Sequence, residues 1–271
     1  MIIKVAIIGK YSFVGYNLYK GLKKNKKLQI KSYSFDKFRK LNIYDKFHYI
    51  INTSLTKKFK FKKYNQREDI DYQIAKKILK ENCKQIILST RKVYPNKPNL
   101  KENAIVRPQD NYAKNKLISE KKCINLNKTK TIILRISNII GGKIKKNRKI
   151  NKNFYENFLD YCKSKKNIRF LNSYKDFISF NQFIRAMNKI IREDIFGVYN
   201  LSLGNKIYVN ELIGWLNTYN KNKKLFNLKN EKSYENFYLN NSKLENQIKI
   251  KFLKKDLKKD CVSLSKKIFK N

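Results

Sequence analysis

The chain is 271 residues long with 41% hydrophobic residues, enough to bury the core of one large domain or of two coupled domains. No apolar run approaches the roughly 20 residues that a membrane span needs, and the first residues lack a signal-peptide pattern. Four dispersed cysteines and one histidine form neither a disulfide framework nor a zinc-binding pattern. We therefore expect a reduced, cytoplasmic protein with no metal site and no membrane partner.

The formal net charge is +44, from 64 basic and 20 acidic residues. Such a charge suggests nucleic-acid binding. However, only nine of the basic residues are arginines, the residue favoured for reading bases and clamping phosphates. Lysine, asparagine, isoleucine, tyrosine and phenylalanine are abundant together, as in proteins of AT-rich genomes. We expect no specific nucleic-acid partner, and a basic nucleic-acid binder remains the less favoured alternative.

In the first half of the chain, predicted strands alternate with predicted helices. A continuous apolar run at 2–9 predicts a strand buried on both faces. Ile70, Ile74 and Ile78 lie on one helical stripe. Further strands are predicted at 28–33, 48–54, 84–90 and 130–138, and helices after residue 12, at 69–82 and at 110–126. This alternation predicts an α/β fold with a doubly wound parallel sheet.

The alternation breaks after residue 138. A stretch rich in glycine and lysine, 139–153, predicts an internal loop. Beyond it the pattern predicts a helix near 154–164, a strand at 168–173, helices at 180–192 and 209–219, and a lysine-rich end. We expect this C-terminal part to form a smaller lobe.

The stretch "IIGKYSFVGYNL" (7–18) predicts a strand, a glycine turn and a helix. One common dinucleotide-binding turn has three glycines at G-x-x-G-x-x-G spacing. Here Gly9 and Gly15 take the outer positions and Ser12 takes the middle one. The middle glycine lets the backbone approach a pyrophosphate at the helix N-terminus. By itself the motif fits a cofactor site and a structural corner equally well.

Tyr112 and Lys116 in "YAKNK" are four residues apart and share a face of a predicted helix. An ammonium beside a phenol lowers the pKa of the phenol, which makes it usable for acid–base work. The spacing alone carries no weight, because it recurs at Tyr16, Tyr19, Tyr33, Tyr72, Tyr161 and Tyr219. The copy at Tyr112 differs in position, since its helix follows the strand at 84–90. Ligands of such sheets bind at the carboxyl ends of the strands.

Thr90 ends that strand, in "LSTRKVYPN" (88–96). Its hydroxyl could hydrogen-bond a substrate oxygen beside Tyr112. A strand-end threonine that caps its own backbone is the alternative interpretation.

Taken in order, these segments resemble the extended short-chain dehydrogenase/reductase family, the NAD(P)-dependent epimerase/dehydratase group that modifies nucleotide sugars. Nearly the whole chain takes part in the resemblance. The other matching segments are "LRISNIIGG" (134–142), "SYKDFISFNQFIRAMNKII" (173–191), "GVYNLSLGNKIYVNELIGWL" (197–216) and "FYLNNSKLENQIKIKF" (237–252). The resemblance implies a Rossmann-type dinucleotide-binding domain in 1–150. It also implies a mostly substrate-binding lobe in 151–271, of which some segments return to the sheet.

The resemblance also implies roles for single residues. Tyr112 would be the acid/base, Lys116 would hold the nicotinamide ribose, and Thr90 would assist at the substrate. Asn138 and Lys175 would contact the substrate, with Lys175 replacing an arginine that grips the sugar nucleotide's phosphates. The residues implied for the cofactor are Gly9, Ser12, Phe13, Gly15, Asn42 and Lys116.

Several positions depart from the family pattern. Ser12 replaces a glycine, and Asn42 replaces an aspartate near the adenine. No clear acid stands at the end of the second strand, so NAD and NADP both remain open. Arg91 and Lys92 stand where sugar 4,6-dehydratases of this family carry Asp-Glu. That difference argues against dehydration, and the remaining reactions of the family are epimerisation and reduction of a keto-sugar.

The resemblance thus predicts an NAD(P)-dependent enzyme that acts on a nucleotide-activated sugar, in polysaccharide biosynthesis and as a homodimer. Reduction of another small carbonyl compound is one alternative. A catalytically degenerate dinucleotide-binding protein, acting as a sensor or structural subunit, is another.

Overall fold

The computed structural model describes residues 2–41, 44–143, 154–163, 169–171, 173–221, 227–229 and 235–269. Its strands are β1 (Ile3–Ile8), β2 (Leu28–Tyr33), β3 (Tyr49–Asn52), β4 (Lys84–Thr90), β5 (Thr131–Ile136), β6 (Asn138–Ile140), β7 (Arg169–Leu171), β8 (Tyr174–Lys175), β9 (Phe177–Ser179), β10 (Gly197–Leu201), β11 (Ile207–Tyr208) and β12 (Asn227–Lys229). Its α-helices are α1 (Phe13–Leu22), α2 (Phe35–Lys40), α3 (Lys57–Phe61), α4 (Ile70–Lys77), α5 (Asn111–Leu126), α6 (Phe154–Lys163), α7 (Phe180–Ile190), α8 (Val209–Leu216), α9 (Ser242–Ile248) and α10 (Lys254–Phe269).

The central feature is a six-stranded parallel sheet with the strand order β10-β5-β4-β3-β1-β2. β1 pairs in parallel with β2 on one side, from Ile3 opposite Leu28, and with β3 on the other. β1, β3, β4 and β5 each contribute buried side chains from continuous apolar runs, as expected for strands covered on both faces. The predicted fold class, a Rossmann-type doubly wound parallel sheet, is confirmed.

Most predicted elements agree with the structure. β2 and β4 have the predicted bounds, and α5 begins one residue after its cap, Asp110. α4 is shorter than predicted, because the helix ends at Lys77 and Ile78 already has non-helical dihedral angles. The short helices α2 and α3 and the C-terminal helices α9 and α10 were not predicted. Most of the predicted loop at 139–153 lies outside the described residues.

The chain divides into two compact units that interleave in sequence. The first unit comprises Met1–Pro95, Glu102–Ile136 and Ile184–Asn200, and the second comprises Asn96–Lys101, Ser137–Phe183 and Leu201–Asn271. The segment Ile184–Asn200 therefore belongs with the sheet although it follows residue 150. The assignment of a cofactor-binding role to 1–150 and a substrate-binding role to 151–271 stays a prediction.

In the first unit a buried ion pair joins the sheet to α5. Arg135 of β5 donates from Nε and Nη2 to the Glu120 carboxylate, with the shortest distance 2.7 Å. Its Nη1 donates to the Tyr94 hydroxyl at 2.8 Å, and that hydroxyl donates to Asn200 Oδ1 at 3.0 Å. A buried charge must be paired and hydrogen-bonded in this way, because its desolvation is otherwise uncompensated.

In the second unit short strands are organised around one buried carboxylate. β6 pairs in parallel with β9, β7 pairs in parallel with β12, and β8 pairs antiparallel with β11. Asp176, between β8 and β9, is fully buried. It accepts hydrogen bonds from the backbone N–H groups of Leu203 (2.9 Å), Gly204 (3.3 Å) and Leu239 (3.0 Å). These bonds tie three separate chain segments together.

Within the described ranges, no helix combines the length and the apolar character that crossing a membrane requires.

We predict that Asp176→Asn lowers the free energy of unfolding by about 1–3 kcal/mol, because a single amide oxygen cannot accept all three N–H groups. Burial raises the pKa of Asp176 to about 7, although the three backbone donors lower it. Because the folded protein holds this proton more tightly than the unfolded chain does, the stabilising contribution is lost as the pH rises through 7. Urea unfolding should therefore be measured near pH 6, where both oxygens of the carboxyl group can still accept and the amide nitrogen of asparagine cannot. The exposed Asp45→Asn is the matched control and should change stability by less than about 0.5 kcal/mol. Equal unfolding midpoints for the two variants would contradict this role of Asp176.

Candidate active site

The glycine turn joins β1 to α1 with no space for side chains at its two glycines. Gly9 has a φ of +104°, in the region that favours glycine. A Cβ atom at Gly9 would lie 2.4 Å from Thr53 Oγ1, and one at Gly15 would lie 2.3 Å from the Gly9 carbonyl oxygen. Both glycines are therefore required by the close approach of the turn, the start of α1 and the segment after β3.

Ser12 is the N-cap of α1. Its Oγ accepts a hydrogen bond from Gly15 N at 2.9 Å and lies 2.9 Å from Thr53 Oγ1. Because the Thr53 hydroxyl donates its one proton to Ile8 O at 2.6 Å, Ser12 donates in the Ser12–Thr53 hydrogen bond. The serine at the middle position of the motif is thus tied into the turn. Phe13 follows it as the buried first residue of α1.

The turn lies where the strand order of the sheet reverses. β1 has β2 on one side and β3 on the other, so the loops after β1 and β3 leave the same edge in opposite directions. In open α/β sheets ligands bind at this switch point, outside the carboxyl ends of the strands. The N-terminus of α1 also favours an anion. The geometry of this turn therefore fits a dinucleotide. That Gly9, Ser12, Phe13 and Gly15 hold its pyrophosphate stays a prediction.

Sequence reasoning missed Thr53, which packs against both glycines. The run of hydroxyl residues after β3, Thr53 and Ser54, was the available signal. Its meaning depends on a contact between residues 41 positions apart, which a local pattern does not reveal.

The predicted adenosine end of the cofactor site is only partly described. Asn42 lies outside the described residues. The segment that ends β2 contributes backbone and capping groups: Tyr33 O accepts from Gly9 N at 2.8 Å, and Ser34 Oγ accepts from Lys37 N at 3.3 Å. The described side chains here do not separate NAD from NADP.

Thr90 ends β4 and is buried. Its Oγ1 accepts a hydrogen bond from Lys92 N at 3.2 Å and so caps the short turn Arg91–Val93. The capping hydrogen bond is thus present, and the contact of Thr90 with a substrate stays a prediction. The capping bond uses an acceptor site of the hydroxyl, whose proton can still be donated to another oxygen.

Tyr112 is the second residue of α5 and is partly buried. Asp110 caps the helix by accepting from Ala113 N at 2.7 Å, and Lys92 Nζ lies 2.9 Å from Asp110 Oδ2. This ion pair ties the turn after Thr90 to the start of the helix that carries Tyr112. Burial raises the pKa of the Tyr112 phenol, the Lys116 ammonium lowers it, and the carboxylates of Asp71 and Asp110 raise it.

Lys116 is buried one turn after Tyr112 and forms an ion pair with Asp71 of α4. Lys116 Nζ lies 2.8 Å from Asp71 Oδ2, and the two side chains are 6% and 3% exposed. Burial alone would lower the pKa of Lys116, but the Asp71 carboxylate outweighs that effect and the pKa is raised. Sequence reasoning missed Asp71 as a partner of Lys116, although a buried lysine in an active site needs a counter-charge.

In the second unit Asn138 and Lys175 meet at the same backbone segment. Asn138 Nδ2 donates to Asp176 O at 3.1 Å, and Lys175 precedes Asp176 in the chain. Lys175 Nζ forms an ion pair with the exposed carboxylate of Glu235. Glu235 is a second partner that sequence reasoning missed.

No protein-family model matches the chain, and no curated protein is a significant sequence match. Solved structures share its fold. UDP-N-acetylglucosamine 4-epimerase of Methanobrevibacter ruminantium M1, solved with UDP-N-acetylmuramic acid, has a TM-score of 0.79 and 17% identity, over 98% of both chains. UDP-glucuronic acid 4-epimerase of Bacillus cereus, solved with NAD, has a TM-score of 0.76 and 15% identity, over 98% of this chain and 100% of the other.

A dTDP-glucose 4,6-dehydratase of Bacillus anthracis, also solved with NAD, has a TM-score of 0.76 and 14% identity, over 98% of this chain and 97% of the other. At these identities the likeness shows the fold. The fold expected from the sequence resemblance is therefore confirmed independently of that resemblance.

We predict that Gly15→Ala lowers the free energy of unfolding by about 1–3 kcal/mol, because the added methyl group overlaps the Gly9 carbonyl. Gly214→Ala is the matched control, since Gly214 also lies within a helix and its Cβ would meet nothing within 4 Å. It should raise stability by up to about 1 kcal/mol. Urea unfolding of both variants measures the difference, and a Gly15→Ala protein as stable as Gly214→Ala would refute the tight turn.

Proposed function

We propose that this chain is an NAD(P)-dependent enzyme that epimerises or reduces a nucleotide-activated sugar by hydride and proton transfer. The observation that carries the proposal is the pairing of a glycine turn at the switch point of a Rossmann-type sheet with Tyr112 and Lys116 on α5. The ion pair between Lys92 and Asp110 joins α5 to the turn after Thr90. These groups supply a cofactor cradle, an acid/base and a hydroxyl donor.

The nicotinamide cofactor supplies a hydride acceptor or donor when bound. Gly9, Ser12, Phe13 and Gly15 would hold its pyrophosphate at the N-terminus of α1, where backbone N–H groups and the helix dipole favour negative charge. The Bacillus cereus epimerase and the Bacillus anthracis dehydratase were both solved with NAD, which supports a dinucleotide of this class. Asn42 stays a predicted adenine contact.

Tyr112 would move the proton. Because burial raises its pKa, the side chain rests as a neutral phenol, ready to donate to a carbonyl oxygen in a reduction. In an epimerisation the phenol would first lose its proton to solvent, and the phenolate would then take the proton of a sugar hydroxyl and later return it. The Lys116 ammonium stabilises the phenolate form, which lowers the cost of the transfer. Thr90 would donate a hydrogen bond from its hydroxyl group to the same substrate oxygen.

The second unit would bind the nucleotide-sugar substrate. Asn138 would supply an amide. The Lys175 ammonium would leave Glu235, its partner in the structure, and bind the diphosphate of the substrate. UDP-sugar epimerases are among the structures that share the fold, which supports a nucleoside diphosphate as the carrier. A lysine gives charge without the bidentate fork of an arginine, so we expect moderate selectivity at this position.

Dehydration is not part of the proposal. The two residues after Thr90 are Arg91 and Lys92, and Lys92 is engaged with Asp110. Neither side chain can act as the carboxylic acid that an elimination of water would use there.

The wider setting is proposed from the family resemblance. It includes polysaccharide biosynthesis, a cytoplasmic location and a homodimer through α4 and α5. The buried thiols of Cys83, Cys123 and Cys261 are unpaired, in keeping with a reducing compartment. Sedimentation at several protein concentrations tests the proposed dimer, and a monomer at every concentration would refute it.

The direct test of the proposed function is to incubate the purified protein with NAD or NADP and a panel of UDP- and dTDP-sugars. NMR spectra would report a new sugar, and absorbance would report a net change of redox state. Conversion of at least one sugar supports the proposal. Dinucleotide binding without any conversion would favour the non-catalytic alternative, and absence of dinucleotide binding would refute both.

We predict that Tyr112→Phe lowers kcat by about 100- to 10,000-fold, the contribution of a general acid/base. Dinucleotide affinity should remain, because the ring and the helix are kept. Tyr19→Phe is the matched control, since Tyr19 of α1 and Lys23 at its C-cap have the same spacing and the Lys23 ammonium lies over the Tyr19 ring. Steady-state kinetics on the best sugar measures both variants, and unchanged turnover of Tyr112→Phe would exclude the assigned role.

We predict that Lys175→Ala raises KM for the sugar nucleotide by about 10- to 100-fold, the loss of one charge-assisted hydrogen bond to a phosphate. The value of kcat should change little, because Lys175 is not assigned to proton transfer. The exposed Lys259→Ala in the same unit controls for the loss of one positive charge. If both variants raise KM equally, general electrostatic attraction rather than a specific contact binds the substrate.

A further inference from the structure

The buried Asp71 carboxylate is engaged on both oxygens. Oδ2 binds Lys116 Nζ at 2.8 Å, and Oδ1 accepts from Asn52 Nδ2 at 2.9 Å. The backbone oxygen of Asp71 also accepts from Gln85 Nε2 at 2.9 Å. The carboxylate therefore has one well-defined position, and so does the ammonium that it binds.

Asn52 connects this pair to the glycine turn. It is the last residue of β3, and its Oδ1 accepts from Ser54 N at 2.9 Å. Between them, Thr53 binds Ser12 and the carbonyl oxygen of Ile8. The segment 52–54 is thus hydrogen-bonded to the glycine turn through Thr53 and to Asp71, the counter-ion of Lys116, through Asn52.

Stability alone does not require the ion pair between Lys116 and Asp71. Two hydrophobic residues in place of a buried ion pair often stabilise a fold equally well or better. The pair does, however, fix the position of the ammonium one helical turn from Tyr112. An ammonium has three N–H groups, so donation to Asp71 leaves capacity for a further partner.

We propose that Asp71 is a positioning residue for Lys116, and that Asn52 links its position to the segment that closes the glycine turn. The inference rests on the proposed function, because the value of positioning Lys116 lies in its action on Tyr112 and on a cofactor ribose. Asp71 itself touches neither the phenol nor the substrate in this assignment.

The charge of Asp71 has a measurable effect on Tyr112. The Lys116 ammonium lowers the pKa of the phenol, and Asp71 raises it. Removal of the Asp71 charge alone should lower the pKa of Tyr112, whereas release of the Lys116 ammonium from its position should raise it. The position of Lys116 is therefore the quantity to measure. The other charged or titratable side chains around the pair, within the described residues, are Tyr64 and Asp69 at α4, Lys92 and Asp110 at the start of α5, Glu120 and Cys123 further along α5, and Arg135, which pairs with Glu120.

The test compares Asp71→Asn with Asp69→Asn. Asp69 is also buried at the start of α4, but its carboxylate accepts from Tyr72 N, Tyr64 Oη and Ser119 Oγ. NMR of lysine labelled at Nζ follows the Lys116 ammonium, assigned by the signal lost in Lys116→Arg. In Asp71→Asn that signal should lose its protection from exchange with water, and in Asp69→Asn it should keep it. Tyrosine labelled at Cζ then reports the net effect on the titration of Tyr112.

A folded Asp71→Asn protein that keeps a protected Lys116 ammonium would overturn the proposal, and so would an equal loss of protection in Asp69→Asn. The exchange measurement needs no turnover, so a failed search for a substrate refutes the proposed function without deciding this inference.

A measurement on the unaltered protein covers the case in which Asp71→Asn does not fold. A buried, ion-paired ammonium exchanges slowly with water, so Lys116 should give a protected signal in NMR of labelled lysine side chains. Lys116→Arg assigns that signal. Absence of a protected Lys116 ammonium would overturn the proposal.

Discussion

The buried ion pair between Lys116 and Asp71 is the constraint on which the site depends. Desolvation of each ion costs several kcal/mol, which is recovered only with close pairing and further hydrogen bonds. Here the ions are 2.8 Å apart, and Asn52 donates to the second carboxylate oxygen. The pair therefore requires α4, α5 and the end of β3 to stay in register. The same register keeps the ammonium close enough to act on Tyr112.

The parallel sheet brings this pair and the glycine turn to one edge. β3 is the neighbour of β1, so the residues that follow β3 can contact the turn that follows β1. Thr53 fills the space that a side chain at Gly9 or Gly15 would need, while Asn52 reaches Asp71. One short segment thus supports both the glycine turn and the Lys116–Asp71 pair, which come from distant parts of the sequence.

Local patterns predicted the sheet well and its long-range contacts poorly. β2 and β4 were located to the residue. β4 contains a buried apolar run, whereas β2 lies at the edge of the sheet and is only partly buried. Tyr112 was selected among several similarly spaced pairs by its place after β4. Asp71 and Thr53 were missed because their partners lie 45 and 41 residues away, a separation without periodicity. The short helices α2 and α3 contain too few turns to show a stripe.

The turn around Ser12 should bind a nicotinamide dinucleotide specifically, and not merely attract anions to a chain of net charge +44. Calorimetric titration with NAD and NADP in roughly 1 M salt tests this specificity directly, because the Debye length there is about 3 Å and nonspecific attraction is screened. We expect that one of the two dinucleotides still binds at one site per chain. Loss of all binding at this salt concentration, with binding at low salt to any polyanion, would contradict it.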